Sequence, residues 1–185
     1  MKPVLLGTLE LALFMDRGAQ RFPNNVKLAL KSFLVPFALL PLWVYPLYAE
    51  PTERLGPRGY AELIAIHGTV MAFYIAALLG LVWTIAHYMK RMDRFWAYVT
   101  ALNFLSLAGF ILTAPLLVMV VTGVHTWEEM YAILVAAALY EFALAGFAAA
   151  YILNIPWQLA ASLSCFALVL HQLTAQTVFY IIGIA

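Results

Sequence analysis

Residues 60–89, YAELIAIHGTVMAFYIAALLGLVWTIAHYM, form one long apolar run, and its length decides the class of fold. The hydrocarbon core of a bilayer takes about 20 helical residues to cross. The run exceeds that, and it lacks the polar face that a helix in water would carry. Four further runs flank it, at about 28–48, 95–121, 127–153 and 156–182. Across all 185 residues 65% are hydrophobic and 10% charged. A soluble domain carries about 25% charged residues, so the solvent for most of this chain is lipid. The expectation is an all-α, polytopic transmembrane bundle of five spans, a single membrane-embedded domain over 1–185. The longest loop runs roughly from Ala49 to Gly59.

Prolines shape two spans. Pro36, Pro41 and Pro46 each remove a backbone hydrogen bond, so the first span is expected to bend or unwind locally. Pro115 predicts a kink in the third span, and Pro156 suits a first helical position.

Before the first span, residues 3–21 read as an amphipathic helix. Lys2, Glu10, Arg17, Gln20 and Arg21 fall on one side, and Leu5, Leu6, Leu9, Leu13 and Phe14 largely on the other. Two readings stay open: a helix lying in the membrane interface, or one packed on the protein's own end. Pro23 ends it, and Asn24 or Asn25 can cap the next helix. The stretch from Val4 to Met15 is interrupted by Glu10 and lacks a small-residue cleavage site, so no cleavable signal peptide is expected.

Charge asymmetry gives an orientation. Lys2, Arg17, Arg21, Lys27, Lys31, Lys90, Arg91 and Arg94 share one side, against Arg54 and Arg58 on the other. The second side also gathers Glu50, Glu53, Glu62, Glu128 and Glu129. Basic residues stay inside, so the N-terminus is expected in the cytoplasm and the C-terminus in the periplasm, in a bacterial cytoplasmic membrane. Trp43, Tyr48, Tyr60, Tyr88, Trp96, Trp127 and Trp157 stand near span ends, as interfacial aromatic residues do.

Small residues let helix backbones approach in lipid. Gly68, Ala72, Ala76 and Gly80, four apart, form a packing seam against which another helix is expected. Ala137, Glu141, Ala145 and Ala149 repeat the spacing, which turns Glu141 into the bundle near mid-membrane. Asn103, Glu141, His171, Gln172 and Gln176 then make a candidate interior polar track, with Ser106, Thr113, Ser164 and Thr174 beside it. An ionisable group inside a membrane is a functional candidate by default. The alternative is interhelical glue, a protonated Glu141 bonded to Asn103, His171 or Gln172.

Other chemistry is faint. The sequence has no phosphate-binding glycine loop, no HExxH and no GxSxG. Cys165 is the single cysteine, so no internal disulfide is expected. His67 and His171 stand at different depths, which argues against a shared haem, and no cofactor is expected. His125 and Glu128, with Glu129, Glu62 and His67 nearby, are weak candidates for a divalent cation; a solvated helix start is the simpler reading. The net charge of +1 says little about partners, and with no basic tail to favour it no nucleic-acid partner is expected.

Two stretches resemble the Yip family of small Rab-interacting membrane proteins, and within it the compact bacterial branch. One is LFMDRGAQRFPNNVKLALKSFLVPFALLP, residues 13–41, where an amphipathic segment runs into a span opening with Lys31, Ser32 and Phe33. The other is FWAYVTALNF, residues 95–104, with Tyr98 and Asn103. The resemblance implies five spans, an inside N-terminus and few loops. Eukaryotic members bind small GTPases through a longer cytosolic region than this chain has, and the resemblance assigns no catalytic residue.

These readings together lead to a non-enzymatic membrane protein acting as an accessory subunit or organiser. Its partners would be the bilayer, other membrane proteins or further copies of itself. A small transporter or proton conductor using Glu141 and His171 is the rival, and a haem-bearing redox subunit is a third.

Overall fold

Pro36 has no N–H to give the carbonyl of Ser32, four residues back, and the first span breaks there. In the computed structural model, which describes residues 2–50 and 58–183, the span divides at Phe33 into α2 (Val26–Ser32) and α3 (Leu34–Ala49). Pro41 and Pro46 remain inside α3. The other helices are α1 (Lys2–Ala12), α4 (Tyr60–Tyr88), α5 (Phe95–Val121), α6 (Trp127–Ile152) and α7 (Trp157–Ile181), with no strand among the described residues. Five segments are long and apolar enough to cross a membrane: α2–α3 together, then α4, α5, α6 and α7. Pro156 takes the cap position of α7, one residue before its first turn.

The spans close into a ring in the order α3, α4, α7, α6, α5 and back to α3. Both asparagines before α2 are used. Asn25 accepts the Leu28 N–H at 3.1 Å and caps α2. Asn24 reaches across to α5, its Oδ1 accepting the N–H groups of Trp96 at 2.9 Å and Ala97 at 3.3 Å. The chain before the first span and the α4–α5 turn are thereby tied at one end of the bundle, the end that gathers the basic residues.

Residues 3–21 are not one helix. α1 stops at Ala12, and the chain turns back through a 3-10 segment, Asp16–Arg21. Phe14 makes the reversal with a left-handed φ of 54°. The N–H groups of Phe14 and Met15 cap the Leu11 and Glu10 carbonyls, the Schellman arrangement. A left-handed conformation costs a non-glycine residue about 1 kcal/mol or more. The Phe14 ring offsets that by packing edge-on against Tyr140 and Phe147 of α6, with centroids 5.7 and 5.3 Å away.

Two glycines close the resulting hairpin. A Cβ on Gly18 would stand 2.8 Å from the Gly7 carbonyl oxygen and 2.8 Å from the Leu11 nitrogen. Glu10, only 5% exposed, lies inside the hairpin rather than on an outward polar face. Arg21 donates to both its carboxylate oxygens, and Arg17 Nε stands 3.2 Å from Oε1. The hydrogen bonds from Arg21 hold the Glu10 carboxyl below its usual range; burial opposes them, and the charges of Arg21 and Arg17 add to them. The hairpin docks on α5 and α6 through Val4, Leu11, Ala19 and Phe22, while Tyr140 donates its hydroxyl hydrogen to the Ala12 carbonyl. Leu5, Leu6, Leu9, Leu13 and Phe14 stay exposed. The segment thus packs on the bundle and still turns an apolar face outward.

Candidate functional site at mid-membrane

Tyr74, Gly109, Glu141 and His171 come from α4, α5, α6 and α7, and each stands 14 residues after the first residue of its helix. At 1.5 Å per residue that is about 21 Å, close to the middle of each span. The helices run alternately up and down, so the four residues meet at one level.

Gly109 makes the room. A Cβ there would overlap Glu141 Oε1 and lie 2.6 Å from its Cδ, so the carboxyl occupies the space a side chain would fill. No hydrogen bond to Glu141 is formed among the described residues. Tyr140 stands beside it on α6, and Tyr74 occupies the same level on α4. The Tyr74 ring in turn meets the His171 ring edge-on, centroids 5.2 Å apart. Tyr98 of α5 is fully buried. Toward the Tyr60 end, His67 faces Phe179 at 6.2 Å. His67 Nδ1 stands 3.0 Å from the Leu63 carbonyl oxygen. A carbonyl only accepts, so Nδ1 carries the hydrogen of that bond.

The five track residues expected from the sequence do not converge. Asn103 is buried elsewhere, donating to Ser32 Oγ at 2.8 Å and fastening α5 to the break between α2 and α3. Gln172 and Gln176 project from the outward side of α7 and are exposed. The polar positions of α7 spread too widely around the helix for all of them to face one interior. Of the five, Glu141 is half-buried against Gly109, while His171 is exposed with its ring edge-on to Tyr74. Tyr74 and Gly109 lie outside the expected track. A tyrosine far from either span end, and a lone glycine inside an apolar helix, are the signals that would have found them.

The seam on α4 also differs. The Gly68 Cβ position lies 3.3 Å from Leu40 Cδ2, while a Cβ on Gly80 would meet nothing within 4 Å. Ala72, Ala76 and Gly80 are exposed, because α4 buries Leu63, Ile66, Val70, Val82 and Ala86 instead. On α6, Ala137 and Ala149 are buried while Glu141 and Ala145 are half-buried. Between α6 and α7, Gly146 leaves room for Ser164, whose buried Oγ has no partner among the described residues.

His125, a candidate with Glu128, turns instead to Glu129. Thr126 and Glu129 make a reciprocal cap at the start of α6, and His125 Nδ1 pairs with Glu129 Oε2 at 3.2 Å. Among the described residues, no three His, Cys, Asp or Glu side chains come together as metal ligands would. Glu62 is engaged by Arg58, one turn before it. Comparison with protein families, with curated proteins and with solved structures finds no match for this chain.

Proposed function

We propose that this chain is a multi-pass membrane subunit that works by packing against another membrane protein or a second copy of itself. One observation carries the reading: α4 and α7 lie side by side, and their outward faces suit a protein better than lipid. Ala72, Ala76 and Gly80 leave a shallow strip on α4 into which a helix backbone fits. Gln172 and Gln176, one turn apart on α7, present amides within the span. An amide facing hydrocarbon leaves donors and acceptors unpaired, at about 1–3 kcal/mol on protein scales. A partner helix with polar side chains removes that cost.

The eight basic residues favour a cytoplasmic placement of the hairpin end, as in a bacterial inner membrane, with the C-terminus on the far side. Kinship with the Yip family draws support from the five-span layout. The two stretches that carry the resemblance also meet, through the bond from Asn103 to Ser32. That kinship supplies no activity.

Purification in mild detergent at native expression, followed by mass spectrometry, tests the reading. A membrane protein, or a second copy, is expected in fixed proportion with the wild type. It is expected to be lost from the variant carrying Ala76→Leu and Gln172→Leu. A wild-type chain that elutes alone from native membranes overturns the proposal. The rival reading, handling of protons or ions, is favoured by a separate observation, the unpartnered Glu141 at the meeting point of four helices.

A further inference from the structure

At the basic end, the turn of the hairpin leaves a recess of about 380 Å³ against α6, lined by Phe14, Met15, Asp16, Arg17, Phe147 and Tyr151. Phe147 and Tyr151 stand five residues and one residue before Ile152, where α6 ends. At 1.5 Å per residue, the recess lies within about 8 Å of that helix end. Trp157, which opens α7 at the same end, is exposed. Tyrosine and tryptophan gather at this depth of a membrane, where the phospholipid headgroups begin.

The lining has two parts. Three rings pack together as an aromatic wall, Phe14 edge-on to Phe147 at 5.3 Å and Phe147 at 4.5 Å from Tyr151. Asp16 and Arg17 add one charge of each sign. Arg17 Nε stands 3.2 Å from Glu10 Oε1, and one Nη donates to Met15 Sδ at 3.3 Å, so the guanidinium is held at the turn. It carries more N–H donors than those contacts use, and its side chain is 65% exposed. Asp16 is exposed and forms no ion pair among the described residues.

From this geometry we propose that the recess binds one phospholipid whose headgroup carries both a phosphate and a primary ammonium. Arg17 donates to the phosphate oxygens. Asp16 accepts hydrogen bonds from the ammonium. The glycerol and the upper part of the acyl chains lie against Phe14, Phe147 and Tyr151. The rest of this end is basic: Lys2, Lys27, Lys31, Lys90 and Arg94 are all exposed. Such a surface favours anionic lipids in general. Asp16 sets the recess apart from it, because a carboxylate repels a headgroup whose only charge is negative. The recess thus selects against the lipid that its surroundings attract. This inference does not depend on the partner-binding reading.

Native mass spectrometry of the full chain in mild detergent tests it, with phosphatidylethanolamine and phosphatidylglycerol of matched chains as probes. The first phosphatidylethanolamine is expected to bind about tenfold more tightly than the first phosphatidylglycerol. Asp16→Asn should remove that preference, and Asp16→Lys should reverse it. Arg17→Gln should weaken phosphatidylethanolamine binding by about tenfold. Free phosphoethanolamine, which has no chains to lay on the rings, should not displace the lipid. Phosphatidylglycerol binding as tightly as phosphatidylethanolamine in the wild type overturns the proposal. A preference that survives both Asp16 variants puts the lipid at another place and overturns the site. Displacement by free phosphoethanolamine overturns the assignment to a lipid. If Arg17→Gln loosens the hairpin through Glu10, the two Asp16 variants alone decide, since Asp16 joins no ion pair there.

Discussion

The two halves of this bundle are built differently. At the basic end, 22 buried residues from the hairpin, α2, α4, α5, α6 and α7 join one cluster. At the other end, three described residues do. Alanines at 86, 97, 101, 148, 149 and 160 bring the helices of the first half close, and the hairpin covers α5 and α6. The second half holds Pro41, Pro46 and Pro115, each of which interrupts a helix ladder. Between them lies the level of Tyr74, Gly109, Glu141 and His171. The difference teaches that the first half supplies rigidity, and that ionisable groups are tolerated where packing thins.

The largest effect should come from prying the hairpin off the packed half. In Gly18→Val the new side chain meets backbone atoms of Gly7 and Leu11, which cannot give way. A loss of about 3 kcal/mol is expected. Thermal unfolding would read it, with faster tryptic cleavage after Arg17 and Arg21. A variant as stable and as resistant as wild type would mean that the hairpin is no part of the packed half.

Asn103→Leu should cost less, about 1 kcal/mol, the scale of one interhelical hydrogen bond in a membrane. Adding Ser32→Ala should cost less than that change costs alone, because the bond the two share is already broken. Additive losses would show that the two side chains act separately.

The ion pair within the hairpin gives a pH signature. The Glu10 carboxyl is held below its usual range in the folded chain. Its stabilisation is therefore complete above the unfolded-state value, and is lost as pH falls through the lower folded-state value. Tryptic cleavage of the hairpin should accelerate in acid for the wild type. Glu10→Gln should be cleaved more readily at neutral pH and show little further change in acid. Parallel pH profiles would remove Glu10 from the account.

The smallest effect on the isolated chain should come from Ala76→Leu, within about 0.5 kcal/mol, since the residue faces outward. Its consequence should appear only in assembly, as loss of the co-purifying chain. A strongly destabilised monomer would mean that this face is already covered.

Much of this architecture was legible in the residues. Lengths of apolar runs gave the five spans, and their observed ends lie within about three residues of the expected ones. Pro36 announced the break in the first span, although only the structure located it at Phe33. Residues 3–21 misled because helical periodicity cannot reveal a chain reversal. Phe14 is an unusual residue for a left-handed turn, and no glycine marked the spot. The α4 seam misled because small residues suit any close contact, and their spacing does not say whether the partner belongs to the same chain. For the site, Glu141 was readable from its chemistry alone. Its neighbours were not, because Tyr74 and His171 become neighbours only through the ring order of the helices.

The contrast between the halves is tested most directly by one pair of substitutions, Leu144→Ala and Leu63→Ala, compared by reversible unfolding in lipid. Both leucines are 1% exposed, and one belongs to each cluster. The cost of such a truncation depends on how far the surroundings can collapse into the space. Leu144→Ala should be the more destabilising by about 1 kcal/mol or more. Equal losses, or a larger loss at Leu63, would contradict the division of this bundle into a packed half and a loosely packed one.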